Sequence, residues 1–313
     1  MDNSPRFEWY YFDIHTQDNY DLVMTLHTRP FMSVFDIYLF DCFIYKEGKA
    51  IHHYFFNRSQ SECPISSSED RIAFDKDSQI LYSENNVRFF VEDNKIAIDL
   101  EISKTNQAWK PFRANLLPSD KKNKEFTWIL YVPLGKSSGK MRMSDLEIDL
   151  TGVAYHDYNA GNINLKKELQ GWTWAKYYDG NAITIAGEIL SRQDGIKAVN
   201  IRVTPEAYKT EVSVHSRATE SGLWHSVDKA ILSDSDRRDE SRVDDLRLLI
   251  NTLPPALAIL AKIREILAFL HLYKGWWIPF NRFLTNSRYQ RFKQVAKNSD
   301  GNTTTTFQEK ICF

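Results

Sequence analysis

The chain has 313 residues, enough for one large domain or two of ordinary size, and its 40 Lys and Arg balance 41 Asp and Glu to a net charge of −1. That balance argues against a protein that holds nucleic acid through a global positive field, and the 42% hydrophobic and 26% charged fractions exclude wholesale disorder. Aromatic residues make up 13% of the chain, which suits β-structure and a site for something large and apolar.

From the N-terminus to about residue 232 the hydrophobic pattern has period two, the mark of strands with two chemically distinct faces. The first predicted strand, Glu8 to His15, opens on Glu8-Trp9-Tyr10-Tyr11-Phe12-Asp13. Its alternation puts Trp9, Tyr11 and Asp13 on one face and Glu8, Tyr10 and Phe12 on the other. Strands follow at Asp21 to Thr28, Val34 to Tyr45 and Ala50 to Asn57. Adjacent His52 and His53 point to opposite faces of the last of these, so they do not ligate one metal. The clearest signal is a hairpin: Val87, Phe89 and Val91 alternate with Arg88 and Glu92, and beyond the Asp93-Asn94 turn Ile96, Ile98, Leu100 and Ile102 alternate with Ala97, Asp99 and Glu101.

Phe126 to Pro133 reads as the next strand. Gly135-Lys136-Ser137-Ser138-Gly139 then matches GxSxG. A nucleophile elbow turns into a helix, whereas Met141 to Leu150 reads as strand, so the match is expected to be a hairpin loop. Its Gly-Lys-Ser lacks the upstream glycine of a phosphate loop, Leu130 standing there, and no GxGxxG occurs. The strand Leu146 to Tyr155 leads into Thr151-Gly-Val-Ala-Tyr-His-Asp-Tyr-Asn-Ala-Gly161. Periodicity places Tyr155, Asp157 and Asn159 on one face, opposite His156 and Tyr158. A carboxylate and an amide beside a phenol are costly to bury for packing alone; the alternatives are a functional site and a polar network or Asx turn that closes the strand.

Strands are predicted again at Trp172 to Tyr178, Ala182 to Leu190, Lys197 to Thr204 and Thr210 to His215. Many short strands at close spacing predict an all-β barrel or sandwich. The charge run Ser233 to Arg247 is read as a solvated loop or helix face. Past Pro254 and Pro255, Leu257, Leu260, Ile263, Arg264, Leu267 and Leu270 recur at helical spacing, so a helical insertion is expected near residues 240–275. It is either a helix packed on a barrel or a lid or membrane-surface element, with residues 253–277 and the Trp276-Trp277 pair supplying peripheral membrane contact in the second case. Short strand signals return from Phe280 to Val295, and the tail from Asn298 is polar. Its longest uncharged apolar stretch, Leu248 to Ala261, is too short to span a bilayer, the N-terminus has no secretory pattern, and Cys42, Cys63 and Cys312 are too scattered for a disulfide framework or CxxC metal site. A cytoplasmic chain is the expectation.

Taken in order, Glu8 to Asp13, Ser33-Val34-Phe35, Trp128, Tyr155-His156-Asp157-Tyr158-Asn159-Ala160-Gly161 and Trp172-Thr173-Trp174 resemble the carotenoid 1,2-hydratase (hydroxyneurosporene synthase) family and its tandem lipocalin-like relatives, which include natural-product cyclases and Diels-Alderases. The resemblance covers roughly residues 7 to 190, with a fainter echo at Ser287 to Phe292. It implies two lipocalin-like (calycin) antiparallel barrels in tandem, residues 1–165 and 166–313, the second carrying the helical insertion. It also implies no cofactor, no metal, and a long apolar polyene or terpenoid-like substrate held between the barrels. Asp157 maps onto the presumed proton donor, with Tyr155, His156 and Asn159 orienting it and Glu8 as a second carboxylate in reach. Trp9, Tyr11, Trp128, Tyr158 and Trp174 would line the substrate site, where ring faces stabilise a carbocation. Hydratase-like members tend to read Tyr-His-Asp-His-Asn-Trp-Gly; Tyr158 and Ala160 replace the second His and the Trp here, which shifts the expectation from water addition toward cyclisation or isomerisation. A pericyclase that only folds its substrate, and a non-catalytic lipid or pigment carrier, are the alternatives.

Overall fold

The computed structural model describes residues 7–29, 37–47, 49–59, 64–68, 70–105, 111–117, 123–179, 182–193, 195–204, 207–215, 239–243, 288–297 and 303–312. The period-two sequences form strands almost throughout: the only helix among these residues is α1, Leu165–Glu168.

The first sheet begins as a meander of β1 (Phe7–Thr16), β2 (Tyr20–Arg29), β3 (Ile37–Lys46) and β4 (Lys49–Ser59), and continues through β5 (Ser66–Ser68), β6 (Arg71–Asp75), β7 (Ser78–Tyr82), β8 (Asn86–Glu92) and β9 (Ile96–Lys104). After β10 (Phe112–Asn115) come β11 (Phe126–Met143), β12 (Leu146–Asp149) and β13 (Gly152–Gly161). The last of these returns to the first: β13 lies between β1 and β11, giving the order β4-β3-β2-β1-β13-β11-β9-β8-β7-β6-β5. Strands β1 and β8 are therefore four steps apart, about 19 Å in a flat sheet. Yet the ring of Phe12 on β1 stacks on Phe89 of β8 at 4.6 Å, and Tyr38 on β3 lies 6.0 Å from Phe74 on β6. The sheet curls upon itself around a core of these rings with Leu22, Met24, Phe40, Ile98 and Leu100. At the closing seam, Tyr38 donates to the Asp75 carboxylate at 3.0 Å, and Tyr54 and Arg58 on β4 both donate to Asp93 in the β8–β9 turn.

The GxSxG segment is not a hairpin loop. Gly135 to Gly139 runs inside the 18-residue strand β11, and the turn comes later, at Ser144. Strand β11 pairs with β13 over its first part and with β9 over its second, with register shifts between Leu130 and Val132 and between Val132 and Gly135. The glycines permit this bend. Gly139 has φ 126°, and a Cβ there would stand 1.9 Å from the Asp99 carbonyl oxygen; at Gly135 it would meet Ile102 Cγ2 at 2.3 Å.

The second sheet comprises β14 (Leu169–Asp179), β15 (Ala182–Ser191), β16 (Gly195–Val203), β17 (Tyr208–His215), β18 (Asp239–Val243), β19 (Arg288–Lys297) and β20 (Thr303–Cys312), in the order β17-β16-β15-β14-β20-β19-β18. Its last strand again pairs with its first, Gly171 to Tyr177 lying opposite Cys312 to Thr306. One expectation is corrected: Asp239–Val243, within the charge run and at the edge of the expected helical insertion, is a strand paired with Val295 to Arg291. The polar tail, for which the sequence predicts no element, holds β20. Alternating Thr, Gln and Lys carry β-pairing there without the hydrophobic alternation that advertises it. The rest of the expected insertion, residues 244–275 with the leucine repeat and the Trp276-Trp277 pair, lies outside the described residues, as do Ser33-Val34-Phe35. By contacts the chain divides into two compact units, Met1–Leu165 with Tyr178–Ile185 and Ile201–Glu211, and Lys166–Tyr177 with Ala186–Asn200 and Val212–Phe313.

Candidate functional site

Strand β13 positions the site. Its two neighbours fix the register: on one side Trp9, Tyr11 and Asp13 of β1 lie opposite Asn159, Asp157 and Tyr155, and on the other Trp128 and Leu130 of β11 lie opposite Asn159 and Asp157. Alternation then puts Trp9, Tyr11, Asp13, Tyr155, Asp157 and Asn159 on the face away from the aromatic core. This face is not solvated. Asp157 is 4% exposed and Tyr155, Asp13 and Trp128 are buried.

Three donors converge on Asp157. Trp128 Nε1 and the Tyr155 hydroxyl donate to Oδ2 at 2.9 and 2.6 Å, and Asn159 Nδ2 donates to Oδ1 at 3.0 Å. Tyr155 and Asn159 reach it because residues two apart on a strand share a face, and Trp128 because β11 is the next strand over. Tyr11 packs edge-on against Tyr155 with ring centroids 6.1 Å apart, and Trp9 stacks on Phe7 at 5.3 Å. Burying a carboxyl is costly unless it is hydrogen-bonded, and these three donors meet that need.

The expected set is divided by the sheet. Glu8 is not in reach of Asp157: it belongs to the core-facing side of β1, where it accepts from Thr28 Oγ1 at 2.5 Å and from Tyr158 at 2.6 Å. His156 likewise faces the core, fully buried, its ring stacked on Phe12 at 3.9 Å and 2°. Its Nδ1 lies 2.9 Å from the Tyr11 carbonyl oxygen, which can only accept, so Nδ1 carries the proton and Nε2 accepts from the Tyr82 hydroxyl at 3.0 Å. Burial pushes the His156 pKa down to about 3, the hydrogen bond to Tyr11 opposing it and Lys104 adding to it. His156 therefore touches the Asp157 side only through the backbone of Tyr11. Tyr158 is part of the Glu8 cluster rather than a wall beside Asp157. Trp174 lies on β14, opposite Glu309, in the second unit.

Two features of the site differ from the sequence expectation. Trp128, expected as a wall, is a hydrogen-bond donor to Asp157. Asp13 is a second fully buried carboxylate on the Asp157 face, opposite Tyr155 and so diagonal to Asp157. The signal for it is present in the strand alternation, which groups Asp13 with Trp9 and Tyr11. Among the described residues no group of three or more His, Cys, Asp or Glu is placed to hold a metal ion, and no helix is long and apolar enough to cross a membrane.

A comparison with solved structures matches the whole chain. An AttH candidate from Nitrosomonas europaea superposes with a TM-score of 0.56 at 11% identity, covering 100% of this chain and 94% of that one. The chain shares its lipocalin-like all-β fold. CghA, solved with Sch210972, gives a TM-score of 0.55 at 7% identity, covering 98% of this chain and 88% of that one. Kievitone hydratase from Nectria haematococca, at a TM-score of 0.49 and 10% identity over 99% of this chain and 89% of that one, falls below the level at which a shared fold follows. No family model matches the sequence, and no curated protein matches it significantly.

Proposed function

We propose that the protein is a cofactor-independent enzyme that protonates a long apolar polyene or terpenoid-like substrate, with Asp157 as general acid. The observation that carries the reading is a carboxyl group 4% exposed, held by Trp128, Tyr155 and Asn159 on a face lined with aromatic rings. Protonating an alkene without activation calls for a carboxyl group kept as the acid near neutral pH, and burial among rings acts in that direction. In the step, the Asp157 O–H bond breaks as a C–H bond forms at one alkene carbon with the π electron pair. The adjacent carbon is left as a cation, which ring faces such as those of Trp9 and Trp128 stabilise. Attack by water, with its proton returned to Asp157, gives hydration; attack by an internal alkene closes a ring and moves the cation to the far alkene carbon, which then loses a neighbouring proton to Asp157; direct loss of a neighbouring proton to Asp157 gives an isomer. Tyr155 and Asn159 hold the carboxyl in place, and CghA's being solved with Sch210972 fits a ligand-binding role for this fold.

The same three donors favour a second reading. A carboxyl anchored on both oxygens also serves as a rigid, polar edge to a cavity that merely folds its substrate for a pericyclic reaction. Incubation of wild type and Asp157→Asn with a series of linear polyenes, read by mass spectrometry, separates the two. General-acid catalysis predicts a loss of about 10²-fold or more in the variant with its circular dichroism unchanged. Undiminished turnover rules out the acid and leaves the folding role.

A further inference from the structure

The first sheet closes on itself without a backbone seam. Its end strands in the pairing order are β4 and β5, and among the described residues neither has a strand paired on its outer edge. The core is shut all the same. From β3 and β4, Tyr38, Phe40, Cys42, Tyr54 and Phe56 are buried in it, with Tyr38 6.0 Å from Phe74 of β6 and Phe40 5.9 Å from Phe89 of β8. Across the seam, polar contact comes from carboxylates at hairpin tips. Asp93, in the β8–β9 turn, accepts from both Tyr54 and Arg58, and Arg58 reaches it over the face of Phe56, 4.8 Å from the ring centroid. Asp75, at the tip of the β6–β7 hairpin, accepts from Tyr38 at 3.0 Å. The turn that carries Asp93 is itself fixed: its amide donates to the Ile96 carbonyl at 2.8 Å, and the neighbouring Glu92 amide donates to Ser78 Oγ at 3.1 Å.

Strands joined by a ladder part only when a row of backbone hydrogen bonds breaks, whereas an edge held by side chains parts when those few contacts and the ring packing are lost. Uncurling at this edge leaves the β2–β3 and β3–β4 ladders whole. Its cost is the exposure of the rings together with the hydrogen bonds to Asp93, which are of the stronger, charge-assisted kind. The closed state therefore dominates, and the open one is a minor excursion. Cys42 on β3 reports on it. This free thiol is 0% exposed, faces the core opposite Tyr54, and is held far above its usual pKa by burial and then by the charge of Asp41. While the edge is shut it is both out of reach and short of the reactive thiolate.

We propose that β3 and β4 form a flap hinged at β2 and latched by Asp93 through Tyr54 and Arg58, which opens as a unit without unfolding the rest of the first sheet. Asp75 and Tyr38 make the second, weaker tie. The flap does not depend on the role given to Asp157, since β3 stands three steps from β13 in the pairing order.

Alkylation by N-ethylmaleimide over a series of urea concentrations, with the label on Cys42 read by peptide mass spectrometry, tests it. The thiol introduced by Ala154→Cys, at a buried core position of β13, reports the opening of the paired ladder, and urea unfolding followed by circular dichroism gives a second reference. Cys42 is expected to react at least about tenfold faster than that thiol, and with a weaker dependence on urea, because a flap exposes less surface than the whole sheet. Asp93→Asn is expected to speed the labelling of Cys42 at least about tenfold, as the loss of hydrogen bonds to a charged group requires, with the weak urea dependence kept. Arg58→Gln, which removes the charged donor from the flap, is expected to act in the same direction and decides the matter if Asp93→Asn does not fold. Equal rates and equal urea dependence for the two thiols would show that Cys42 is reached only by unfolding of the sheet. A Cys42 rate left unchanged in the latch variants that fold would show that Asp93 holds nothing shut. Either result overturns the proposal.

Discussion

The hydroxyl of Tyr155 is one of three groups that make the burial of Asp157 tolerable, and it is the one that can be deleted with least change of shape. Tyr155→Phe keeps the ring against Tyr11 and leaves Trp128 and Asn159 donating. Urea unfolding of this variant should show a loss of about 1–3 kcal/mol, the cost of leaving a buried acceptor short of one partner. An unchanged midpoint would mean that the hydroxyl contributes nothing to holding the carboxyl. His156 gives a different signature. Its pKa in the fold, about 3, lies below the ordinary 6.5, so between those values the unfolded chain binds a proton that the folded chain refuses. The contribution is fully present above pH 6.5 and is lost as pH falls toward 3. His156→Gln should remove that component, so its unfolding free energy should fall less steeply with acid than that of wild type. Parallel slopes would contradict the burial argument.

At the scale of the element, β11 and β13 do the positioning. Strand β13 was legible residue by residue, because its alternation of polar and aromatic side chains survives intact: Tyr155, Asp157 and Asn159 do share one face and His156 and Tyr158 the other. Alternation within one strand says nothing about which face its partners bring forward, and so the expectation that Glu8 reaches Asp157 fails although its own face is read correctly, and Asp13 is left without a role. Strand β11 was half legible. Its glycines suggest a turn, whereas they serve a bend within a strand that changes partners. Gly139 carries this most sharply, since its φ of 126° and the 1.9 Å approach to Asp99 leave no room for a side chain. Gly139→Ala should destabilise the protein by at least about 1–3 kcal/mol in thermal or urea unfolding. Wild-type stability in that variant would show that β11 does not need the bend.

In the whole molecule, the same closure occurs twice: β13 returns to β1, and β20 returns to β14. The all-β class and most strand positions followed from period-two hydrophobicity, but these closing pairings join residues 129 to 154 apart, and no local signal encodes them. The same is true of Phe12 on Phe89, which only the curl of the sheet brings together. The candidate site inherits this: Asp157, Tyr155 and Asn159 were readable from one strand, while Trp128, 29 residues away, is placed by pairing alone. The functional account rests on transfer of a proton to carbon, and carrying out the reaction in heavy water measures that transfer directly. With a polyene that the protein converts, the account predicts that product formed in heavy water carries one deuterium on carbon, stable to back-exchange in ordinary water and absent when Asp157→Asn is used. Product of unchanged mass from the wild-type protein would contradict it.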